Sequence, residues 1–259
     1  MREKQVLSAI IAVLSVTAIA VALLVTLAYN WEPKEHETIE IKEYLAGSAG
    51  EGQHFVAEVS RPYSYDRNDI QINGVWAKEF VTVSIKSDNL KYSSEIETIA
   101  RQAINGPIPY YNLTGWHIVF HTMLSTAGRS STHLILPDDN TSAADISIKF
   151  TNDRSAEGNR AIAGVSTIDI APNGTINRAQ LTIYDSDSFH EQGILVPIVI
   201  HELGHALGLG HSTNYNSIMY PNLVTRNNIV GGDISICEIA ALNALYVVHQ
   251  NVTGFIQCE

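Results

Sequence analysis

His201-Glu202-Leu203-Gly204-His205-Ala206-Leu207-Gly208-Leu209-Gly210-His211 is the stretch from which the rest of this chain can be read. At 3.6 residues per turn, histidines four apart project about 40° from one another, so His201 and His205 can reach one ion from one helix face. Glu202 is turned by about 100° from His201, near enough to address a water at that ion without ligating it. Gly208 can adopt the positive φ that ends a helix and turns the chain, which brings His211 round as a third ligand. Three neutral imidazoles leave a fourth tetrahedral position for water, the arrangement of a catalytic rather than a closed structural zinc site. The full pattern would arise by chance in fewer than about 1 in 10,000 such chains, so surface histidines beside an unrelated glutamate are set aside.

On either side the sequence supplies a scaffold. Residues 194–207 predict the helix that carries the first two histidines, with Pro197 tolerable only in its first turn. Ser217-Ile218-Met219-Tyr220-Pro221 can form a tight turn that puts Met219 beneath the histidines as an apolar floor. A last helix is expected over residues 234–248, with Asp233 as its N-cap. Upstream, apolar–polar alternation predicts strands at 80–85, 117–123, 144–150, 162–170 and 179–184. Between the first two, Ser93 or Ser94 can cap a helix through Ile96, Ile99, Ala100 and Ala103. Strands and a helix, then the histidine helix, then a final helix give an α+β fold.

Together these residues resemble the metzincin zinc metallopeptidases, whose extended histidine motif and Met-turn they match. Ser212 after the third histidine and Met219-Tyr220-Pro221 look like the matrixin, or matrix-metalloproteinase-like, branch. Residues 144–150 and 233–246 are similar to that branch's third strand and C-terminal helix. The resemblance implies a metzincin-like zincin domain with a mixed five-stranded sheet, an active-site helix, a Met-turn and a C-terminal helix. It implies one catalytic Zn2+ on His201, His205 and His211, and Glu202 as general base for a zinc-bound water that attacks a peptide bond. A polypeptide substrate would add as a strand to the edge at residues 161–167, which include Ala163 and Gly164. Pro197, Tyr220, Pro221 and Leu223 are expected to shape the specificity pocket. The rival reading is a non-catalytic zinc-binding adhesion or scaffold module, for which Glu202 would have no use.

The departures are informative too. Astacin- and serralysin-like relatives carry a tyrosine two residues after the Met-turn methionine, where this chain has Pro221. Many matrixins hold a second, structural zinc through histidines between the third and fifth strands; residues 151–187 contain none, so that site is not expected. Ca2+ has candidate oxygen ligands in Asp138, Asp139, Asp145, Asp185 and Asp187, which read more readily as solvated loop carboxylates. No cysteine precedes the domain, so a cysteine-switch propeptide is not expected and latency must work differently.

Residues 6–28 hold no charge, and as a helix would rise about 34 Å, enough for a bilayer core of about 30 Å. Arg2 and Lys4 precede the run and Glu32, Glu35 and Glu37 follow it, which keeps the N-terminus cytoplasmic. The expected organisation is a cytoplasmic stub at 1–5, a transmembrane anchor at 6–28, a stem at 29–54 and the catalytic domain at 55–259. A cleaved signal peptide is the alternative, and it would make the protein secreted. Both place the domain outside the cytoplasm. Cys237 and Cys258 can pair there as a disulfide or remain thiols; spacing does not decide. A net charge of −11 without a basic cluster argues against nucleic acid as a partner.

Overall fold

The computed structural model describes residues 37–45, 68–87, 89–106, 115–116, 133–135, 144–157, 160–214, 216–223, 225–226, 229–230, 234–248 and 254–258. The chain divides into two units, 1–35 and 36–259, and every described residue lies in the second. The expected stub, the transmembrane anchor and the strand at 117–123 lie outside the described residues. Among the described residues, no helix is long and apolar enough to cross a membrane.

In chain order the elements are β1 (Glu37–Leu45), β2 (Asn68–Ile72), β3 (Phe80–Lys86), α1 (Ser93–Asn105), β4 (His133–Ile135), β5 (Ile146–Phe150), β6 (Ser155–Glu157), β7 (Arg160–Ile170), β8 (Ile176–Ile183), α2 (Ser186–Glu191), α3 (Leu195–Ala206), β9 (Leu209–Ser212), β10 (Asn222–Leu223), β11 (Thr225–Arg226), β12 (Ile229–Val230), α4 (Ile236–Asn243) and β13 (Gly254–Cys258). A π-helical turn, Ala244–Val248, prolongs α4.

The main sheet runs β10-β1-β7-β8-β5-β3-β4, with β6 also paired to β7. It is mixed: β4, β3, β5 and β8 are parallel, β7 is antiparallel to β8, and β1 is antiparallel to β7. Among the described residues its strands number eight rather than the expected five. The extra ones are short or polar, too weak in pattern to register alone. β1 falls inside the segment expected to be a stem, where Ile39 and Ile41 alternate with Glu40 and Lys42 and lean on the core.

The buried face of β7, with Ile162, Ser166, Ile168 and Ile170, and β8 pack against α3. Every residue of α3 is buried, so this helix is the centre of the core rather than a surface element. Asp145, at the entry to β5, fastens β3 to that strand. It accepts from Lys78 Nζ at 2.5 Å, Thr82 N at 3.0 Å and Thr82 Oγ1 at 3.0 Å.

A second sheet runs β13-β2-β9, with both pairings antiparallel. α4 is capped by Ser235, not by Asp233. Ser235 accepts from Cys237 N, while Glu238 accepts from Ser235 N at 2.7 Å, a reciprocal capping box. A cap two residues later wins because it satisfies two helix N–H groups at once. Cys237 is disulfide-bonded, and the chain's one other cysteine, Cys258, lies in β13.

Candidate metal centre and active site

The three histidines come from two elements joined by one turn. His201 and His205 lie one turn apart on α3. The helix then stops at Gly208, whose φ of 95° and contact with Gly74 leave no room for a side chain: a Cβ there would lie 1.9 Å from Gly74 O. The turn is held by Asn73 N donating to Gly208 O at 2.8 Å. β9 then carries His211 back, registered on β2 by the pairs Ile72↔Leu209 and Ile70↔Ser212.

The helix's C-terminal carbonyls are buried and need donors. Trp76 Nε1 donates to Ala206 O at 2.8 Å, and Tyr246 Oη donates to Leu207 O at 3.0 Å. Burial holds the Tyr246 phenol far above its ordinary range, so it stays a donor. Within the helix, Trp116 Nε1 donates to Ile200 O at 2.8 Å. Three aromatic donors thus fix the segment that bears the histidines.

One nitrogen from each of His201, His205 and His211 lies within 4.8 Å of the others. Among the described residues they form the one such cluster of His, Cys, Asp or Glu. All three are buried, as is Glu202. His201 Nδ1 donates to Ile218 O at 2.5 Å and His205 Nδ1 to Leu209 O at 2.8 Å. A carbonyl can only accept, so each Nδ1 carries the proton and each Nε2 keeps its lone pair. Those two Nε2 atoms face each other at 3.0 Å. Two lone pairs at that distance repel unless a cation lies between them. Zinc bonds of about 2.0–2.1 Å at a tetrahedral angle would separate them by about 3.3 Å, so the donor set fits zinc.

Beneath the cluster runs the turn at residues 217–221. Met219 is fully buried below α3, and a Cβ on Gly204 would meet its Sδ at 2.4 Å. Gly204 therefore lets the methionine sulfur approach the helix backbone. Met219 O accepts from Ser212 N at 2.8 Å, tying the turn to the strand of the third histidine. The hydroxyl of Ser217 donates to the buried carboxylate of Glu238, which joins the turn to the cap of α4.

Glu202 projects toward β7. The Ser166 hydroxyl donates to Glu202 Oε2, and both residues are fully buried. Gly164 lies over the other oxygen, Oε1.

The remaining residues singled out in the sequence are scattered around this centre. Ala163 is buried in β7, its carbonyl accepting from Tyr184 N at 3.0 Å. Pro197 is buried in the first turn of α3; Tyr220 and Pro221 are half-buried, and Leu223 lies in β10. Asp145 and Asp187 spend their oxygens on protein donors. Asp187 accepts from Lys91 N at 2.9 Å, Tyr92 N at 3.1 Å and Asn152 Nδ2 at 2.5 Å. Asp185 pairs with Arg154 at 3.3 Å. Nearby, Glu191 is exposed and accepts from Lys91 and Tyr92, and the half-buried His190 ring packs at a tilt against Tyr92.

Sequence reasoning missed Ser166, Gly164's part beside Glu202, Trp76, Trp116 and Glu238. Only Glu238 left a local signal, the Ser-x-x-Glu spacing of Ser235 and Glu238.

A histidine helix, a glycine turn to a third histidine and a buried methionine turn beneath them define a metzincin domain. A family model described as matrixin matches residues 119–247, and the chain is a matrixin-like metzincin whose cofactor is zinc. It is similar to metalloendoproteinase 4-MMP of Arabidopsis thaliana, 30% identical over 117 residues, 42% of this chain and 34% of that protein. To metalloendoproteinase 1-MMP of the same plant it is 26% identical over 182 residues, 66% of this chain and 44% of the relative. To the interstitial collagenase of Oryctolagus cuniculus it is 39% identical over 59 residues, 22% of this chain and 12% of the relative. The chain thus spans less than half the length of each of these relatives.

Proposed function

We propose that this chain is a zinc endopeptidase that hydrolyses polypeptides, with Glu202 as general base. The observation that carries this reading is the pair of inward-facing Nε2 atoms of His201 and His205 beside a buried carboxylate. Bound zinc would polarise the scissile carbonyl and lower the pKa of water toward about 7. The carbonyls of Ile218 and Leu209 hold two imidazoles in the ligating tautomer. The Glu202 carboxylate takes a proton from the attacking water and returns it to the amide nitrogen as the C–N bond breaks. Ser166 holds that carboxylate in place through Oε2. The substrate would lie extended along β7, its backbone hydrogen-bonded to the strand. The apolar run at 6–28 supports anchoring in a membrane with the domain outside the cytoplasm.

The test is zinc content and casein cleavage of the full chain beside Glu202→Gln. The expected outcome is one zinc per chain in both proteins, and turnover at least about 10²-fold lower in the variant. Near-normal turnover by Glu202→Gln would remove Glu202 from the mechanism. Zinc bound without cleavage of any polypeptide would favour the binding-module reading.

A further inference from the structure

We propose that β1 is a built-in blocking strand that occupies the substrate groove and must leave before a polypeptide can enter. This rests on the endopeptidase reading of the site.

The pairing pattern is the ground for it. β7 is bonded along one edge to β8, and β1 covers the other edge from Glu37↔Ile170 to Tyr44↔Ile162. β1 then passes to β10, running parallel to it through Tyr44↔Asn222 and Leu45↔Leu223. β10 directly follows the methionine turn. β1 is therefore threaded between the strand above Glu202 and the segment leaving the floor of the metal centre. An incoming strand needs the same row of β7 N–H and C=O groups, and one edge cannot serve two strands.

Register adds a second observation. Ile41 lies opposite Ser166, and Glu43 opposite Gly164. These are the two β7 residues that hold and roof the Glu202 carboxylate. Side chains directly opposite share a face, so Ile41 is on the face of β7 that meets Glu202. The register shifts between Glu43 and Tyr44, which leaves Ala163 of β7 without a partner in β1. The ladder is thus regular over the residues that meet the catalytic carboxylate and breaks one residue beyond Gly164.

The hold is suited to release. β1 offers Ile39 and Ile41, both only half-buried, between Glu37, Glu40, Lys42 and Glu43. It contains no cysteine, so it brings no thiol to the metal. Obstruction comes from strand pairing alone. A chain in which the open form is the minor population binds substrate more weakly by that fraction.

Two variants of the full chain test this. Glu40→Pro/Ile41→Pro removes two successive N–H donors, one of which must point at β7. Glu40→Cys/Thr167→Cys pairs residues opposite each other on the face away from Glu202, where oxidation can clamp the strand. Amide hydrogen exchange over residues 160–170 reads the coverage of β7, and casein cleavage reads access, with wild type under the same reductant as control. The proline variant should exchange at least about tenfold faster at the β7 amides facing away from β8, and cleave casein faster. The oxidised clamp should cleave at least about tenfold more slowly than its reduced form.

Equal cleavage by clamped and reduced chains would overturn the proposal. So would β7 amides that exchange freely in the wild type and ignore the prolines. If exchange responds as expected while no zinc-loaded form cleaves any polypeptide, β1 is the covering strand and the endopeptidase reading falls instead.

Discussion

Gly164 lies against the Glu202 carboxylate so closely that a Cβ on it would sit 2.0 Å from Oε1 and 2.6 Å from Cδ. The glycine is there because the carboxylate occupies the space of its side chain. Gly164→Ala should push Glu202 off its position and lower kcat/KM by about 10²-fold, with zinc content unchanged. Steady-state kinetics beside a metal assay checks this; wild-type kinetics in the variant would mean that Glu202 has room to spare.

Gly208 is constrained twice, by its φ of 95° and by the Gly74 carbonyl 1.9 Å from where a Cβ would be. Gly208→Ala should cost about 2–4 kcal/mol in urea unfolding and weaken zinc retention, since the turn places His211. A variant with an unchanged urea midpoint would show that the turn can relax.

Zinc should act as a structural clamp on the three histidines. Stripping it with a chelator leaves the Nε2 atoms of His201 and His205 facing each other at 3.0 Å with nothing to share. Thermal unfolding should shift downward on removal and recover on zinc addition, by about 4 kcal/mol at a thousandfold excess over Kd. The same midpoint with and without metal would contradict the ligand geometry.

Asp145 supplies a pH test. Burial pushes its carboxyl upward, but the Lys78 ammonium and the two Thr82 donors outweigh burial and leave the pKa lowered. A folded pKa below the unfolded value of about 3.9 means the stabilisation is present above that value and lost as pH falls through the folded one. Asp145→Asn should therefore be less stable than wild type by about 1 kcal/mol at pH 7, allowing for partial solvent screening. The gap should close below about pH 4; urea midpoints at neutral and acid pH would show it, and a gap independent of pH would assign the effect to packing.

The metal centre was legible because its ligands lie within eleven consecutive residues and their spacing is a local property of one helix and one turn. β3, β5, β7 and β8 were legible for a similar reason, each alternating or running apolar over its own length. What escaped depends on partners far away in sequence. Trp76 meets Ala206 across 130 positions and Tyr246 meets Leu207 across 39, and neither spacing has a local signature. β1 did alternate, at Ile39 and Ile41, but two isoleucines among four charged residues look like a solvated stem until β7 supplies the missing half of the pattern. Asp233 drew the cap because it follows two glycines, whereas the reciprocal bonds of Ser235 and Glu238 are the stronger device.

The arrangement β13-β2-β9 also bears on how the molecule is made. β9 carries the third ligand, β2 braces β9, and β2 has an open row of backbone groups on its far side until β13 arrives. A ribosome delivers these strands in the order β2, β9, β13, so His211 emerges before its brace is complete. Docking of β13 on β2 is thus the step that completes support for the strand bearing His211.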